Sequence, residues 1–345
     1  MKDQNTEGFS RAINIHNFSF PKDHGPHPDY RTEWWYYTGN VKTGEEQHFG
    51  FQLTFFRTAL TSEPLTRESN WGTKNIYMAH FAVTDVKGNR FYAFDRFSRD
   101  GLDLAGAKAS PFHVWLEDWE VRGEGQNSLP MHLLAGQDEI SIDLTLSSNK
   151  PVVVQGNKGL SQKGPTTGNA SYYYSFTRMD TEGLIRIGEK IFNVKGLSWM
   201  DREWSTSALE KNQIGWDWFS LQLSDNREVM YYQMRRNDGS IDSMSNGTII
   251  YTDGKSKFLS DKDVKLRVLQ HWRTSDGKVI YPSHWFLEIP SEKLKLEVLP
   301  HINNQELNIT VRYWEGAVKV KGTGNGKALT GNGYVELTGY SDMPK

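Results

Sequence analysis

The strongest constraint on the fold is a two-residue alternation of apolar and polar side chains. In the segment HFGFQLTFFR, Phe49, Phe51, Leu53 and Phe55 fall on one face, and the residues between them are mostly polar or small. A period of two indicates a β-strand with one buried face. The same pattern recurs at residues 76–84, 140–146, 216–223, 264–269, 285–289, 294–298, 311–320 and 333–339.

Turn-forming sequences such as VKGNR, RNDGS, YTDGK and TSDGK separate many of these segments. The chain also contains 12 Trp, 15 Tyr and 17 Phe, which suit strands and can line an apolar cavity. Many short strands joined by hairpin turns predict an all-β protein, built as a sandwich or as up-and-down barrels.

Composition and motifs exclude several classes of function. Lys and Arg total 40 against 42 Asp and Glu, so no charge imbalance indicates a nucleic-acid partner. The chain has no Cys, which excludes thiol catalysis and thiolate metal sites. The loop HGPHPD lacks the two-histidine helix of zinc hydrolases, and no Gly-x-Ser-x-Gly elbow is present. We therefore expect no metal, no cofactor and no serine-hydrolase triad.

A weak internal repeat indicates two units of similar plan. Placing residues 35–52 over residues 216–233 without a gap aligns Trp35 with Trp216 and Tyr37 with Trp218. Both copies read as an aromatic strand, a turn and a second aromatic strand. If the repeat is real, the chain forms two barrels, residues 1–190 and 191–345, in close contact; the alternative is a chance similarity between two β-hairpins.

Six longer motifs carry a resemblance to a known family. In chain order they are FPKDHGPHPDYRTEWWYYTGNV, YMAHFAVTD, GLSWMDREWSTSAL, GWDWFSLQL, YWEGAVKVKG and GNGYVELTGY. Together they resemble the bacterial AttH-like family, often labelled predicted secreted hydrolases and related to the CrtC carotenoid 1,2-hydratases. The resemblance spans nearly the whole chain. It implies two tandem lipocalin-like (calycin) antiparallel β-barrels packed against each other, with a cavity for an apolar ligand.

The motif GLSWMDREWSTSAL, residues 196–209, supplies the leading candidates for catalysis. In an extended strand, Trp199, Asp201 and Glu203 share one face, and Arg202 and Trp204 share the other. Two carboxyl groups about 6 to 7 Å apart beside an indole ring could act on an alkene, because burial would raise the pKa of one of them until it holds a proton near neutral pH. The alternative is an ion-pair network of Asp201, Arg202 and Glu203 that joins the two barrels.

Comparison with the hydratases supports Asp201 and also shows differences. Their motif is aromatic-x-Asp-x-x-Trp, which Trp199, Asp201 and Trp204 match, although the aromatic residue of the family is typically Tyr. Their preceding strand carries His-x-Trp, where this chain is expected to place Tyr172 and Tyr174. These differences argue against a carotenoid itself as substrate. The two tyrosines could orient or protonate a ligand, or they could be cross-strand packing.

Further candidates come from other strands. His80 lies among apolar neighbours, and could transfer a proton or be a hydrogen-bonded core residue. Glu33, Trp35 and Tyr37 share a face, and a buried Glu33 would require a partner. In the second barrel, Asp217 could face Asp201 or meet Arg202. We therefore add the following residues as candidate ligand contacts: Glu33, Trp35, Tyr37, Trp199, Arg202, Trp204, Trp216, Asp217 and Trp218.

Two functions follow from these features. The first is binding of an apolar or amphipathic small molecule, such as a lipid, fatty acid or isoprenoid, with a role in its metabolism. The alternative is a hydratase or isomerase-type lyase, with Asp201 as general acid, Glu203 tuning its pKa, and Tyr172, Tyr174 or His80 positioning the substrate. No apolar run approaches the roughly 18 residues of a membrane helix, and the N-terminus lacks a signal-peptide core. We expect a periplasmic or secreted protein that lies near a membrane surface and whose export signal has been removed. A cytoplasmic location is the alternative.

Overall fold

In a computed structural model, which describes residues 6–63, 72–125, 127–207 and 209–341, the chain forms two antiparallel β-sheets. Each sheet is curled into a near-barrel. The predicted all-β class and the tandem pair of antiparallel barrels are confirmed.

The first sheet has 13 strands. Their bounds are β1 Thr32–Lys42, β2 His48–Ala59, β3 Asn75–Asp85, β4 Arg90–Arg99, β5 Ala105–Ala109, β6 Phe112–Leu116, β7 Trp119–Gly123, β8 Met131–Gln137, β9 Ile140–Ser147, β10 Val153–Val154, β11 Leu160–Gln162, β12 Ala170–Ile187 and β13 Lys190–Ser205.

The second sheet has 10 strands. Their bounds are β14 Gln213–Leu223, β15 Glu228–Arg236, β16 Asn246–Ile250, β17 Ser256–Ser260, β18 Lys265–Arg273, β19 Ile280–Ile289, β20 Leu294–Pro300, β21 Glu306–Asn308, β22 Arg312–Gly324 and β23 Lys327–Leu337.

Helical structure in the described residues is limited to single turns of 3-10 helix, at Lys22–His24, Gly101–Asp103 and Pro290–Glu292. No helix in this part of the chain is long and apolar enough to cross a membrane.

In each sheet the strand that comes first in the chain pairs with the strand that comes last. The first sheet runs β4-β3-β2-β1-β13-β12-β9-β8-β7-β6-β5, and the second runs β17-β16-β15-β14-β23-β22-β20-β19-β18. The last strand of each sheet therefore pairs with its first, β13 with β1 and β23 with β14. The N-terminal part of β12 pairs with the short strands β10 and β11, and its C-terminal part pairs with β9.

The chain passes from the first sheet to the second between Ser205 and Gln213. Residue 190, the expected boundary, lies at the turn of the β12–β13 hairpin within the first sheet. The two strands of this hairpin stay paired up to Ser205. The expected boundary follows from the repeat of residues 35–52 at residues 216–233, which locates the second hairpin but not the last strand of the first sheet. The division of the chain into independently folding domains stays a prediction.

Both hairpins of the expected repeat are present, as β1–β2 and β14–β15. The ungapped alignment nevertheless matches residues on opposite faces, because Trp35 packs in the first core whereas Trp216 packs between the sheets. A shift of one residue corrects the alignment by matching Trp34 with Trp216 and Tyr36 with Trp218, since a shift of one exchanges the two faces of a strand.

Three apolar clusters follow from the alternation. One fills the first barrel and one fills the second. The third lies between the sheets and includes Tyr36, Tyr173, Trp199, Trp218 and Tyr334. Strands that contribute to it are therefore covered on both faces, and polar side chains among them are removed from water.

Candidate functional site

The alternation along β13 separates the central motif into two environments. Trp199, Asp201 and Glu203 point between the two sheets, whereas Arg202 and Trp204 point into the first barrel. The sequence predicted this separation correctly. It also excludes an ion pair between Asp201 and Arg202, because their side chains leave the strand in opposite directions.

Asp201 is buried and held by three hydrogen bonds. Its Oδ1 accepts from Ser175 Oγ at 2.5 Å and from Trp199 Nε1 at 2.6 Å. Its Oδ2 accepts from Tyr173 Oη at 2.5 Å. Among the described residues, no Lys, Arg or His forms an ion pair with this carboxyl group.

Burial raises the pKa of Asp201 to about 7, although its three hydrogen bonds oppose the shift; the charge of Glu203 adds to it. Desolvation disfavours the charged form, and a neighbouring negative charge acts in the same direction. Asp201 can therefore both hold and release a proton near neutral pH, as a general acid must.

Glu203, two residues along the same face, has a different environment. It accepts a hydrogen bond from Ser171 Oγ and pairs with Lys163 Nζ at 3.0 Å. Burial opposes the charge of Lys163, but Glu203, together with Tyr232 and Asp201, outweighs burial, so the pKa of Lys163 is raised. The two carboxyl groups on this face therefore have different electrostatic environments. Glu203 has a cationic partner, and Asp201 has none in the described residues.

Aromatic rings surround Asp201. The indole Nε1 of Trp218, from the second sheet, donates to Tyr173 Oη at 3.2 Å. The rings of Trp199 and Trp218 meet edge to face at 6.3 Å, and those of Tyr36 and Trp218 at 5.2 Å. Such rings exclude water, and their faces can stabilise a positive charge on a ligand.

Tyr172 and Tyr174 do not lie with Asp201, and their expected place beside it is corrected to Tyr173 and Ser175. Tyr172 Oη donates to Asn14 O at 2.8 Å, and Tyr174 Oη lies 2.6 Å from His24 Nδ1, both in the first barrel. The β12–β13 register instead places Ser175 opposite Asp201. Spacing identified the correct strand, but the register between strands is set by the hairpin.

The first barrel also contains the expected partner of Glu33. Arg57 and Arg202 both donate to its carboxylate. Burial opposes the charge, but Arg202 and then Arg57 hold the pKa of Glu33 far below its usual range. Arg202 also lies over the ring of Trp35, 3.9 Å from the ring centroid. These residues, with Tyr37 and Trp204, form a core network on the opposite side of the sheet from Asp201.

Three other candidates have separate partners. His80 Nδ1 lies 2.7 Å from Tyr313 Oη between the sheets, and burial lowers the pKa of His80 to about 4. Asp217 faces neither Asp201 nor Arg202, because it pairs with Arg235 at 2.9 Å inside the second barrel. The third candidate, Trp216, donates from Nε1 to an interfacial carboxyl group at 2.8 Å.

That carboxyl group belongs to Glu336, and neither Glu336 nor Glu315 was predicted from the sequence. Burial raises the pKa of Glu336 to about 7, and Glu203 and Asp201 add to the shift. Burial also raises the pKa of Glu315 far above its usual range, with a contribution from Glu336. The sequence signal was an aromatic-x-acid spacing in YWE and YVE, the same as in WMD.

The family model described as AttH-like matches residues 11–340. The chain belongs to the AttH-like family. The crystal structure of a putative AttH from Nitrosomonas europaea is similar to this AttH-like chain, with 30% identity and a TM-score of 0.84, over 96% of this chain and 100% of the other.

Two further structures share the fold of the AttH-like chain. Kievitone hydratase from Nectria haematococca has 17% identity and a TM-score of 0.71, over 97% of each chain. CghA, in a structure with Sch210972, has 12% identity and a TM-score of 0.60, over 98% of each chain. No curated protein matches.

Proposed function

We propose that this protein is a hydratase or isomerase-type lyase that acts on a carbon–carbon double bond of an apolar or amphipathic small molecule between the two sheets. The observation that carries the proposal is Asp201, a buried carboxyl group with three hydrogen-bond donors and no ion pair in the described residues. A carboxyl group in this setting is suited to give up a proton and take one back.

Hydration begins when Asp201 transfers its proton to the less substituted alkene carbon. The π bond breaks, a C–H bond forms, and the positive charge develops on the more substituted carbon. A water oxygen then bonds to that carbon and returns one proton to the Asp201 carboxylate. The sum is addition of one water molecule, with the acid regenerated. In this proposal the rings of Trp199, Trp218 and Tyr36, which contact one another edge to face, stabilise the cation.

Tyr173 and Ser175 are the positioning residues in this proposal, in place of Tyr172 and Tyr174. Both donate to Asp201 and so fix its orientation. Glu203 lies on the same face as Asp201, raises the pKa of Asp201 and pairs with Lys163. Its effect is to favour the protonated form of Asp201 before the reaction.

The substrate proposed is an alkene such as an isoprenoid, a polyene or an unsaturated fatty acid. The aromatic cluster between the sheets supports an apolar partner. The fold shared with kievitone hydratase, over 97% of each chain, supports hydration as the reaction class. We extend the proposal to a periplasmic or extracellular location, in line with the secreted label of the AttH-like family.

A second candidate function is binding without turnover. The same aromatic cluster favours it, because the cluster offers an apolar surface to a ligand. In this function the hydrogen-bond donors around Asp201 only fix its carboxyl group beneath a bound lipid. In that case the protein would carry or sequester a lipid, fatty acid or isoprenoid.

The test is incubation of the full chain with kievitone, geraniol, linoleic acid and lycopene in water enriched in the heavy oxygen isotope. Mass spectrometry should detect a product that has gained one labelled water molecule, and Asp201→Asn should abolish it while tryptophan fluorescence still reports binding. Asp143→Asn, an exposed carboxylate on β9, is the matched control. Saturable binding with no turnover would favour the carrier, and no binding of any probe would contradict both functions.

A further inference from the structure

One end of the first barrel contains a cavity of about 750 Å³, which we call the mouth cavity. It lies where the β1–β2, β3–β4, β8–β9 and β12–β13 hairpins turn, and each of these hairpins contributes to its lining. Several lining residues are exposed, including Lys87, Arg90 and Lys190, so the cavity opens to solvent. Its volume is typical of a site for a small molecule.

The opposite end of this barrel is closed by the chain that precedes β1. Phe18 and Phe20 pack there against the apolar cluster of the first barrel. Trp35, near the start of β1, donates from Nε1 to His24 O at 2.8 Å. A ligand of the first barrel would therefore enter through the mouth cavity.

Strand alternation explains why the mouth cavity has an apolar floor and a charged rim. The floor is formed by Tyr92, Ile140, Ile187 and Phe192. All four belong to the apolar cluster that fills the first barrel or pack against it. Side chains two residues apart share a face of a strand, so Arg90 follows Tyr92 towards the turn of β4, and Lys190 follows Phe192 towards the turn of β13. Two cations thus lie directly above the apolar floor.

The charges of these two cations are not neutralised by the barrel itself. Among the described residues, no carboxylate forms an ion pair with Arg90 or Lys190. Asp85 lies opposite Arg90 in the β3–β4 hairpin. Its Oδ1 instead accepts hydrogen bonds from Gln47 Nε2 at 3.3 Å and from the backbone N–H of Gly88 at 2.9 Å. The carboxylate nearest along the chain is therefore used to fix its own turn.

Three further charged residues line the mouth cavity on the turns: Lys87, Glu139 and Glu189. All three are exposed, so water and salt screen them. With Asp85, Arg90 and Lys190, the lining carries three cations and three carboxylates. The position of the charges, rather than their sum, therefore selects the ligand, since the cations face inward and the two glutamates lie on the turns.

We propose that the mouth cavity binds an amphiphile with a single apolar chain and an anionic head group, such as the carboxylate of a fatty acid. The chain lies on the floor, and Arg90 and Lys190 bind the head group. A guanidinium can donate two parallel hydrogen bonds to a carboxylate, which gives Arg90 the larger share.

This site is separate from the candidate acid. Asp201 follows Phe192 by nine residues along β13, roughly 30 Å in an extended strand, and its side chain points out of the barrel. The mouth cavity therefore does not depend on the proposed reaction. Ligand binding there and turnover at Asp201 can be tested apart.

Three probes with matched chains test the head group on the full chain by isothermal titration calorimetry below micelle-forming concentrations: dodecanoate, dodecan-1-ol and dodecyltrimethylammonium. Dodecanoate should bind about fivefold more tightly than the alcohol, and the cation most weakly. The double variant Arg90→Gln with Lys190→Gln should remove the preference for dodecanoate and keep binding of the alcohol. Arg99→Gln is the control, because it removes the same charge from an exposed residue at the other end of β4.

A second set of variants tests where the chain of the probe lies. Ile187→Asp introduces a carboxylate into the floor and should abolish dodecanoate binding. Ile191→Asp, at a side chain that is 61% exposed on the same hairpin, should not. Asp201→Asn should bind dodecanoate as tightly as wild type does. If circular dichroism shows that Ile187→Asp fails to fold, the double variant of Arg90 and Lys190 decides alone.

Equal affinity of wild type for dodecanoate and the alcohol would overturn the anionic selectivity, and an undiminished preference in the double variant would overturn the role of the two cations. Loss of dodecanoate binding in Asp201→Asn would also contradict the proposal, since the probe would then lie between the sheets. No saturable binding of dodecanoate would reject the site. If the double variant loses the preference but no alkene is ever hydrated, the mouth site stands and the proposed reaction fails.

Discussion

The hydroxyl of Tyr173 donates a 2.5 Å hydrogen bond to the buried carboxyl group of Asp201 on the neighbouring strand. The same hydroxyl accepts a hydrogen bond from Trp218 of the other sheet. Both sheets therefore help to hold the candidate acid in position. A substitution at Trp218 would affect Asp201 through the side chain of Tyr173.

The raised pKa of Asp201 predicts a loss of stability as pH rises. The folded state holds this proton more tightly than the unfolded state between the ordinary pKa of 3.8 and about 7, so the stability it contributes falls across that window. From about pH 5 to about pH 8, wild type should lose on the order of 2 kcal/mol more unfolding free energy than Asp201→Asn. Urea unfolding of both proteins at the two pH values measures the difference; equal losses would mean that Asp201 titrates normally.

The same pKa predicts the pH dependence of turnover. Because the donor must start protonated, kcat/KM should fall about tenfold per pH unit above roughly pH 7. Glu203→Gln removes the negative neighbour of Asp201 and should move this limb to lower pH. Initial rates between pH 5 and pH 9 test this. An unchanged limb in Glu203→Gln would show that the charge of Glu203 does not act on the proton donor.

Tyr173→Phe should lower turnover by about tenfold or more and move the pH limb upwards. The substitution removes a hydrogen bond that favours ionised Asp201, and it keeps the ring. Tyr172→Phe is the matched control, since that hydroxyl bonds Asn14 O in the first barrel. Greater loss in Tyr172→Phe than in Tyr173→Phe would contradict the assignment of the two faces.

Removing the Glu33–Arg202 ion pair should destabilise the folded protein, because both side chains are buried in the core of the first barrel. Arg202→Met leaves a fully buried carboxylate with one fewer cation and should cost about 3 to 5 kcal/mol. The double variant Glu33→Gln with Arg202→Met should cost less than the single change. Denaturant unfolding measures both. A cost below about 1 kcal/mol for Arg202→Met would mean that Arg57 and His27 hold Glu33 without it.

Some features of the site could be found from sequence. Alternation assigned Asp201 and Glu203 to one face and Arg202 to the other, because successive side chains of a strand point in opposite directions. The pairing of the tyrosines was wrong by one residue, since spacing within β12 says nothing about its register against β13. Glu336 was missed because it becomes a neighbour of Asp201 only when the second sheet packs on the first, and Glu315 because it lies opposite Glu336 on the next strand.

The sequence by itself determined the all-β class, the AttH-like motifs and the residues that share each strand face, since these depend on local periodicity. The tertiary structure decided which face is the barrel interior and which is the interface between sheets. It also decided where the first sheet ends and which carboxyl groups have a cation beside them. Those properties depend on contacts between residues far apart in the chain, and desolvation and pairing of a charge are set by such contacts.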